Sequence, residues 1–362
     1  MVLWAGSFLN YTIYDIMKNM SNKEKTILIT IASCREYYLL DTIRSAIYAA
    51  KHPERIYFSI FNTVLDKKES HLYNGSKEDV SLLKSSNTLY TEFFSPYVFG
   101  IGFSRMNAAL MYDKEHDFIF QIDAHTIFDK NWDETLINNY YVAEKYAGDK
   151  IVLSNMPHGF TYDINDKNTL YWQENKKIHF NDFDSTIDDV NAFMPSIRTD
   201  GIDGNNRLTE SMVGIAWVDG GPWNDNKITI NDTVFHEGNC VFAAMMFYPF
   251  KYLLDFLHYP KDPFSGDQIN FSLRLLSRGF RIFHFYKPVF VSLNKPEPGI
   301  DSDYQWKDAT KSDSFSKYIK EHANKHHKEI FSGKYLGYWG APDKDQLEKS
   351  KKIMGIENYL SE

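Results

Sequence analysis

A carboxylate and an imidazole two residues apart, Asp123 and His125, follow the short apolar run Phe118-Ile119-Phe120-Gln121-Ile122. At an extended strand end, residues i and i+2 point the same way, so the two side chains can converge on one cation. A run this apolar fits a strand buried on both faces, as in a parallel sheet covered by helices. Ligand groups just past the carboxyl end of a central strand lie where open α/β sheets bind substrates. The bland alternative is an aspartate capping a turn beside a polar loop histidine, since Asp-x-His is short and common. A second pair, His322 and His326, is spaced four apart on an expected helix and could chelate zinc. The sequence lacks His-Glu-x-x-His there, and a solvated charged helix is the better reading.

The elements that must position Asp123 and His125 follow from pattern. TILITIA (26–32), IYFSIFN (56–62), TLYTEFF (88–94) and IVLSN (151–155) read as strands. Helices are expected after the first strand to about Lys51, over GIGFSRMNAALMYD (100–113), and over NWDETLINNYYVAEKY (131–146), where Trp132 packs and Trp132-Asp133 begins the helix. Strands alternating with helices at this spacing point to a mostly parallel sheet with right-handed crossovers. DKKESHLYNGSKEDVSLLKSSN is polar and turn-rich and is expected at the surface. From about 156 to 235 the chain is rich in Asn, Asp and Gly, and irregular functional loops are expected there. A loop, a helix and a strand follow within 259–285, and the tail from 301 is charged and helical.

Composition sets limits. Charged residues make up 24% and hydrophobic residues 43% of the 362, ordinary for a globular protein. The net charge of −8 argues against a broad nucleic-acid surface. Cys34 and Cys240 provide no disulfide framework and fit a reducing compartment, so a cytoplasmic location is expected (host cytoplasm if the source is viral). No apolar run approaches the length of about 18 residues needed to span a membrane, and no membrane partner is expected. The opening MVLWAGSFLNYTIYDIM makes a poor signal peptide. Residues 1–23 read as an N-terminal arm or a start-site artefact, 24–300 as the catalytic domain, and 301–362 as a helical extension packed on it.

Six stretches, in order, resemble a known family. SCREYYLLDTIRSAIYAAKHPERIYFSIFN is similar to the opening of the glycosyltransferases that attach N-acetylglucosamine to hydroxyproline of a ubiquitin-ligase subunit. FIFQIDAHTIFDKNWDETLI resembles that family's metal-binding stretch, and GFSRMNAAL, SNMPHGF, DPFSGDQINFSLRLLSRGF and LGYWGAPDKDQLEKSKKIMGIE resemble later ones. The resemblance implies an α/β fold of the GT-A type, a UDP-sugar donor, a divalent cation and retention of anomeric configuration. Three departures stand out. The family's Tyr and Asp in the first motif are Cys34 and Glu36 here. Its Gly-Glu-Glu is Gly266-Asp267-Gln268. Its late histidine, expected to complete the metal shell, falls near Ser292.

On that resemblance, Asp123 and His125 hold the cation, with Ser292 or His236 as third ligand, or diphosphate oxygens and water alone. One nitrogen ligand favours Mn²⁺ over Mg²⁺. Arg105 offers a planar fork to the diphosphate, a surface helix residue being the alternative. Ser33 and Arg35, at the exit of the first strand, fit uridine recognition. Asp267 fits the anomeric carbon or a sugar hydroxyl, or an N-cap for the helix it precedes. The leading expectation is a UDP-sugar-dependent transferase acting on a hydroxyl of a macromolecule, protein hydroxyproline by resemblance. The alternatives are a phage-type enzyme acting on a hydroxylated base in modified DNA, a silent nucleotide-sugar-binding module, and a metallohydrolase. No second-metal carboxylate cluster supports the last.

Overall fold

The structure is a computed structural model that describes residues 25–95, 99–163, 166–172, 176–179, 194–198, 214–218, 227–230, 233–262, 267–293 and 314–357. The expected arm at 1–23 lies outside them. The first half runs β1 (Ile27–Cys34), α1 (Leu39–Ala49), β2 (Ile56–Val64), α2 (His71–Asn74), α3 (Lys77–Leu83), β3 (Thr88–Phe94), α4 (Ile101–Leu110) and β4 (Phe118–Asp123). Next come β5 (Thr126–Phe128), α5 (Trp132–Ala147) and β6 (Ile151–Leu153). Then follow β7 (His158–Asp163), β8 (Asp166–Trp172), β9 (Lys176–His179), β10 (Met194–Arg198), β11 (Gly214–Val218) and β12 (Lys227–Ile230). The chain continues with β13 (Thr233–Gly238), β14 (Met245–Pro249), α6 (Asp267–Ser277), β15 (Arg281–Phe285), β16 (Phe290–Leu293), α7 (Ser314–Phe331) and α8 (Lys344–Met354).

Nine strands form the main sheet, in the order β12-β13-β15-β6-β14-β4-β1-β2-β3. The four from β4 to β3 are all parallel, and β14 runs antiparallel between β4 and β6. Parallel strands need crossovers, and α1, α4 and the α2–α3 pair supply them. A second sheet, β5-β16-β7-β8-β9, stands beside the end of β4. One expectation is corrected here. The described residues of the 156–235 stretch form seven strands, where irregular loops were expected. These strands are mostly four to six residues long, and their Asp, Asn, Lys and Thr content hides a pairing that only distant partners reveal. The turn-rich stretch after β2 lies at the surface as expected and forms the short helices α2 and α3 there. Ser76 opens α3 with a reciprocal capping box to Asp79, which pays part of the cost of nucleating so short a helix.

The core explains why β1 and β4 are so apolar. Ile27, Ile29 and Ile31 of β1 and Phe118, Phe120 and Ile122 of β4 pack with Leu39, Ile43 and Ala46 of α1 and with Trp132 and Leu136 of α5. Phe120 stacks on Trp132 with ring centroids 5.6 Å apart, a contact worth about 0.5–1.5 kcal/mol beyond its burial.

Helix α1 also carries polar groups that act on the chain after β4. Thr42 Oγ1 donates to the Ala124 carbonyl (3.0 Å) and accepts from Thr126 N–H (2.8 Å). Ser45 Oγ accepts from Phe128 N–H, and Trp132 Nε1 donates to the Ala46 carbonyl. Residues 42, 45 and 46 share one helix face, so this helix grips the Asp123–Phe128 turn along its length. The other end of α1 is tied by Asp133, buried to 1% exposure, whose oxygens accept from Lys51 and His52 N–H (2.8 and 3.0 Å) and face Arg55 at 3.8 Å. Asp133→Ala should cost about 3 kcal/mol, because it strips buried donors and a buried cation of their carboxylate. Urea denaturation of the variant measures this; a loss below about 1 kcal/mol contradicts the assignment.

At the far side, α8 packs on α6 through Leu347, Met354, Leu273 and Leu276. The α7 histidines do not lie on a solvated face. His326 is buried and stacks on Tyr259 (4.1 Å), His322 Nδ1 lies 3.5 Å from the Tyr259 hydroxyl, and His327 Nε2 donates to Asp262 (2.9 Å). They wrap a tyrosine and a carboxylate of the segment that leads to α6, because a ring with burial on one side and a polar tip suits that seam.

Candidate active site

Parallel strands β1, β2 and β4 all end on one edge, and the site is built there. Ala32 of β1 stands in register with Asp123, the last residue of β4. Arg105 rises from α4 and is buried, its guanidinium 3.3 Å from Asp123 Oδ1. It is therefore not a surface helix residue. One turn earlier, Gly102 lets α4 pack close to the 259–262 segment, where any Cβ would sit 2.0 Å from the Tyr259 carbonyl.

His125 Nε2 lies 3.9 Å from Asp123 Oδ2, and its Nδ1 lies 3.0 Å from Glu36 Oε2. An ionised carboxylate can only accept, so Nδ1 carries a proton, and in the neutral ring Nε2 presents its lone pair toward Asp123. Burial alone would depress the His125 pKa. The hydrogen bond to Glu36 and the charges of Glu36 and Asp123 outweigh it and raise the value above the ordinary one. A separation of 3.9 Å is too long for a hydrogen bond, and the two atoms face each other as an oxygen and a nitrogen donor that could together hold a divalent cation. Among the described residues, no three His, Cys, Asp or Glu side chains converge as a metal cage. A cation here would thus be held by this oxygen and nitrogen, with its further ligands other than His, Cys, Asp or Glu of the described residues.

The two candidates for a third ligand fall apart in space. Ser292 in β16 pairs with Thr126, the residue after His125, and so stands beside the site. His236 is not brought there. It sits in β13, four strands from β4 in the sheet, roughly 19 Å at the usual spacing. Its neighbour Glu237 is engaged by Arg281 at 2.6 Å through both oxygens. His284, close in sequence to Ser292, is buried within β15 with Nδ1 against the Ser154 carbonyl, and Gly238 leaves room for its ring.

Ser33 and Arg35 flank the end of β1. Ser33 is buried, and its hydroxyl has no hydrogen-bond partner among the described residues. Its neighbour in register is Asn62 of β2, whose Nδ2 donates to the Tyr90 hydroxyl (2.9 Å). Arg35 takes a left-handed backbone, φ +56°, and its Nε lies 3.2 Å from Glu69. Such a conformation costs a non-glycine residue about 1–3 kcal/mol and concentrates at functional sites. Arg35, Glu36, Lys68, Glu69 and His71 line a cavity of about 270 Å³, and Glu36 is the wall it shares with His125. Asp267 is the first residue of α6, and Gln268 beside it accepts from Ala243 N–H at 3.4 Å. Glu36 is the site residue that the motifs did not assign; its one signal was that it replaces the family's aspartate.

Among solved structures, that of GalNAc-T7 with UDP, GalNAc and Mn²⁺ matches 93% of this chain at 14% identity with a TM-score of 0.50. The match covers 55% of that protein, so the chain spans about half its length. The structure of S. aureus TarS 1–349 in complex with UDP-GlcNAc covers 92% of this chain and 71% of its own, at 11% identity and a TM-score of 0.44. No curated protein matches. The likeness to GalNAc-T7 is one of fold, and that fold is the GT-A type. A family model described as Glycosyltransferase (GlcNAc) matches residues 68–298, a span that includes α4 with Arg105, the Asp123–His125 turn and the start of α6. The chain belongs to this GlcNAc glycosyltransferase family.

Proposed function

We propose that the protein is a metal-dependent, retaining glycosyltransferase that moves a sugar from a UDP-sugar to a hydroxyl group of a macromolecule. The observation that carries this is the Asp123–His125 pair, oriented by Arg105 and Glu36 at the parallel edge of a GT-A sheet. The ligands of a fold neighbour support the donor, since GalNAc-T7 was solved with UDP, GalNAc and Mn²⁺. A bound divalent cation supplies charge stabilisation to a departing diphosphate. Asp123 Oδ2 and His125 Nε2 would hold it, and the nitrogen favours Mn²⁺ over Mg²⁺. Arg105 holds Asp123 turned to the site while offering a second cation to phosphate oxygens. Ser33 and Arg35 stand where the uridine would meet the end of β1. Ser292 is the remaining protein candidate for the metal shell.

The acceptor follows from the resemblance, which points to hydroxyproline in a protein. The net charge of −8 disfavours a hydroxylated base in DNA, whose phosphates would be repelled. Mass spectrometry of reactions pairing each common UDP-sugar with hydroxyproline peptides, lysate protein and hydroxymethylated DNA tests the proposal. One donor should add one sugar residue to protein, with UDP released only when acceptor is present. UDP release without acceptor means a hydrolase, and no release with any donor means a silent binding module.

Asp267 opens α6 as the family's first glutamate would, one methylene shorter. If its carboxylate steadies the reacting sugar, Asp267→Asn leaves UDP affinity nearly intact and lowers turnover by about 10²–10³-fold. Turnover equal to the unmodified protein's would reduce Asp267 to capping its helix.

A further inference from the structure

We propose that Glu36 is a positioning residue for the metal ligand His125: it fixes the imidazole as the Nδ1–H tautomer and aims Nε2 at the cation. The proposal rests on the metal-dependent reading above and deepens it. Metal-binding histidines commonly donate their second ring nitrogen to a carboxylate or carbonyl, which sets tautomer and ring angle and raises ligand basicity. Here the contact is direct, Nδ1 to Oε2 at 3.0 Å, between groups 89 residues apart in the chain.

A residue that positions another must itself be held, and Glu36 is held three ways. Its second oxygen, Oε1, accepts from Tyr38 N–H at 3.3 Å, just before α1 begins. Its carbonyl lies 3.0 Å from His71 Nε2 and accepts that ring's proton. His71 opens α2, where Glu92 of β3 accepts from its backbone N–H at 2.8 Å. The left-handed Arg35 just before it turns the chain away from β1. The strain at Arg35 thus has a physical role, since an extended Arg35 would carry Glu36 onward along the strand. Glutamate in place of the family's shorter aspartate accepts from two donors at once, the N–H at the helix start and the histidine ring.

Capping alone does not account for this arrangement, because it uses only one of the two oxygens. Helix α1 has no side-chain cap on its N-cap residue Tyr38, so Oε1 meets a helix need while Oε2 is spent on His125. His125 itself remains about a third exposed, so without Glu36 its ring has little else to hold it.

Three variants read the proposal out. In Glu36→Gln the amide oxygen still accepts from Nδ1–H, in Glu36→Leu nothing does, and in His125→Asn the ring is lost, which assigns its resonances. Long-range ¹H–¹⁵N spectra of metal-free protein, recorded well above the histidine range, should show His125 as the Nδ1–H tautomer. That should persist in Glu36→Gln and shift toward Nε2–H in Glu36→Leu. Mn²⁺ affinity in the presence of UDP, measured by electron paramagnetic resonance, should fall about 10–100-fold in Glu36→Leu and less than tenfold in Glu36→Gln. An Nε2–H ring in the unmodified protein overturns the positioning role and leaves the metal-dependent reading standing. Equal Mn²⁺ affinity in Glu36→Leu and the unmodified protein does the same. Unmodified protein that binds no Mn²⁺ with UDP overturns both.

Discussion

Asparagine in place of Asp123 should lower sugar transfer by about 10³-fold while the protein stays folded. The carboxylate lies between Arg105 and the His125 ring, and its two oxygens face one each. An amide keeps the shape and one weak acceptor but cannot balance a divalent cation. It also strips the buried Arg105 of the charge of this carboxylate. Folding should survive because the Asp123 side chain is 28% exposed and makes none of the core contacts that hold β4. Initial rates of UDP release with acceptor, beside thermal melts, measure both halves. A rate within tenfold of the unmodified protein's contradicts the role given to Asp123.

The second large effect is on stability in mild acid. Burial pushes His284 and His326 down to about 4, the second also through the charge of His327. Burial likewise depresses His116, His236 and His258. The unfolded chain binds protons on these rings near pH 6.5 and the folded chain does not, so stability is fully present above 6.5 and lost as pH falls toward 4. His284 and His326 each contribute about 3 kcal/mol over that window, at about 1.4 kcal/mol per pKa unit. His125 works with the opposite sign, its raised value adding stability below pH 6.5 that is lost as pH rises through it. The buried set outweighs it. Urea midpoints should therefore drop steeply between pH 7 and 4.5, before most carboxylates titrate. His326→Phe keeps the stack on Tyr259 and should flatten that drop by about 3 kcal/mol. An unchanged slope in the variant contradicts the assignment.

The β1 and β4 strands were legible because a strand buried on both faces must be apolar along its length, and both are. The nearness of Asp123 and His125 follows from their spacing, as does the packing of Trp132 at the start of α5. Contacts between distant stretches were not legible. Glu36 and His125 meet across 89 residues, and nothing in either motif shows the meeting. His236 and Ser292 looked equivalent as candidate ligands until the strand order separated them, because sequence distance says nothing about which strand lies beside which. The second sheet was hidden for a related reason. Strands β7 to β9 are rich in polar residues, and the sheet joins them to β5 and β16, which lie more than 150 residues apart.

The central claim is that Asp123 and His125 bind UDP through a divalent cation, and titration calorimetry with UDP tests it most directly. With Mn²⁺ present, affinity should be at least about tenfold tighter than after thorough chelation, and Asp123→Asn should erase the difference. Equal affinity for UDP with and without the cation would contradict the account.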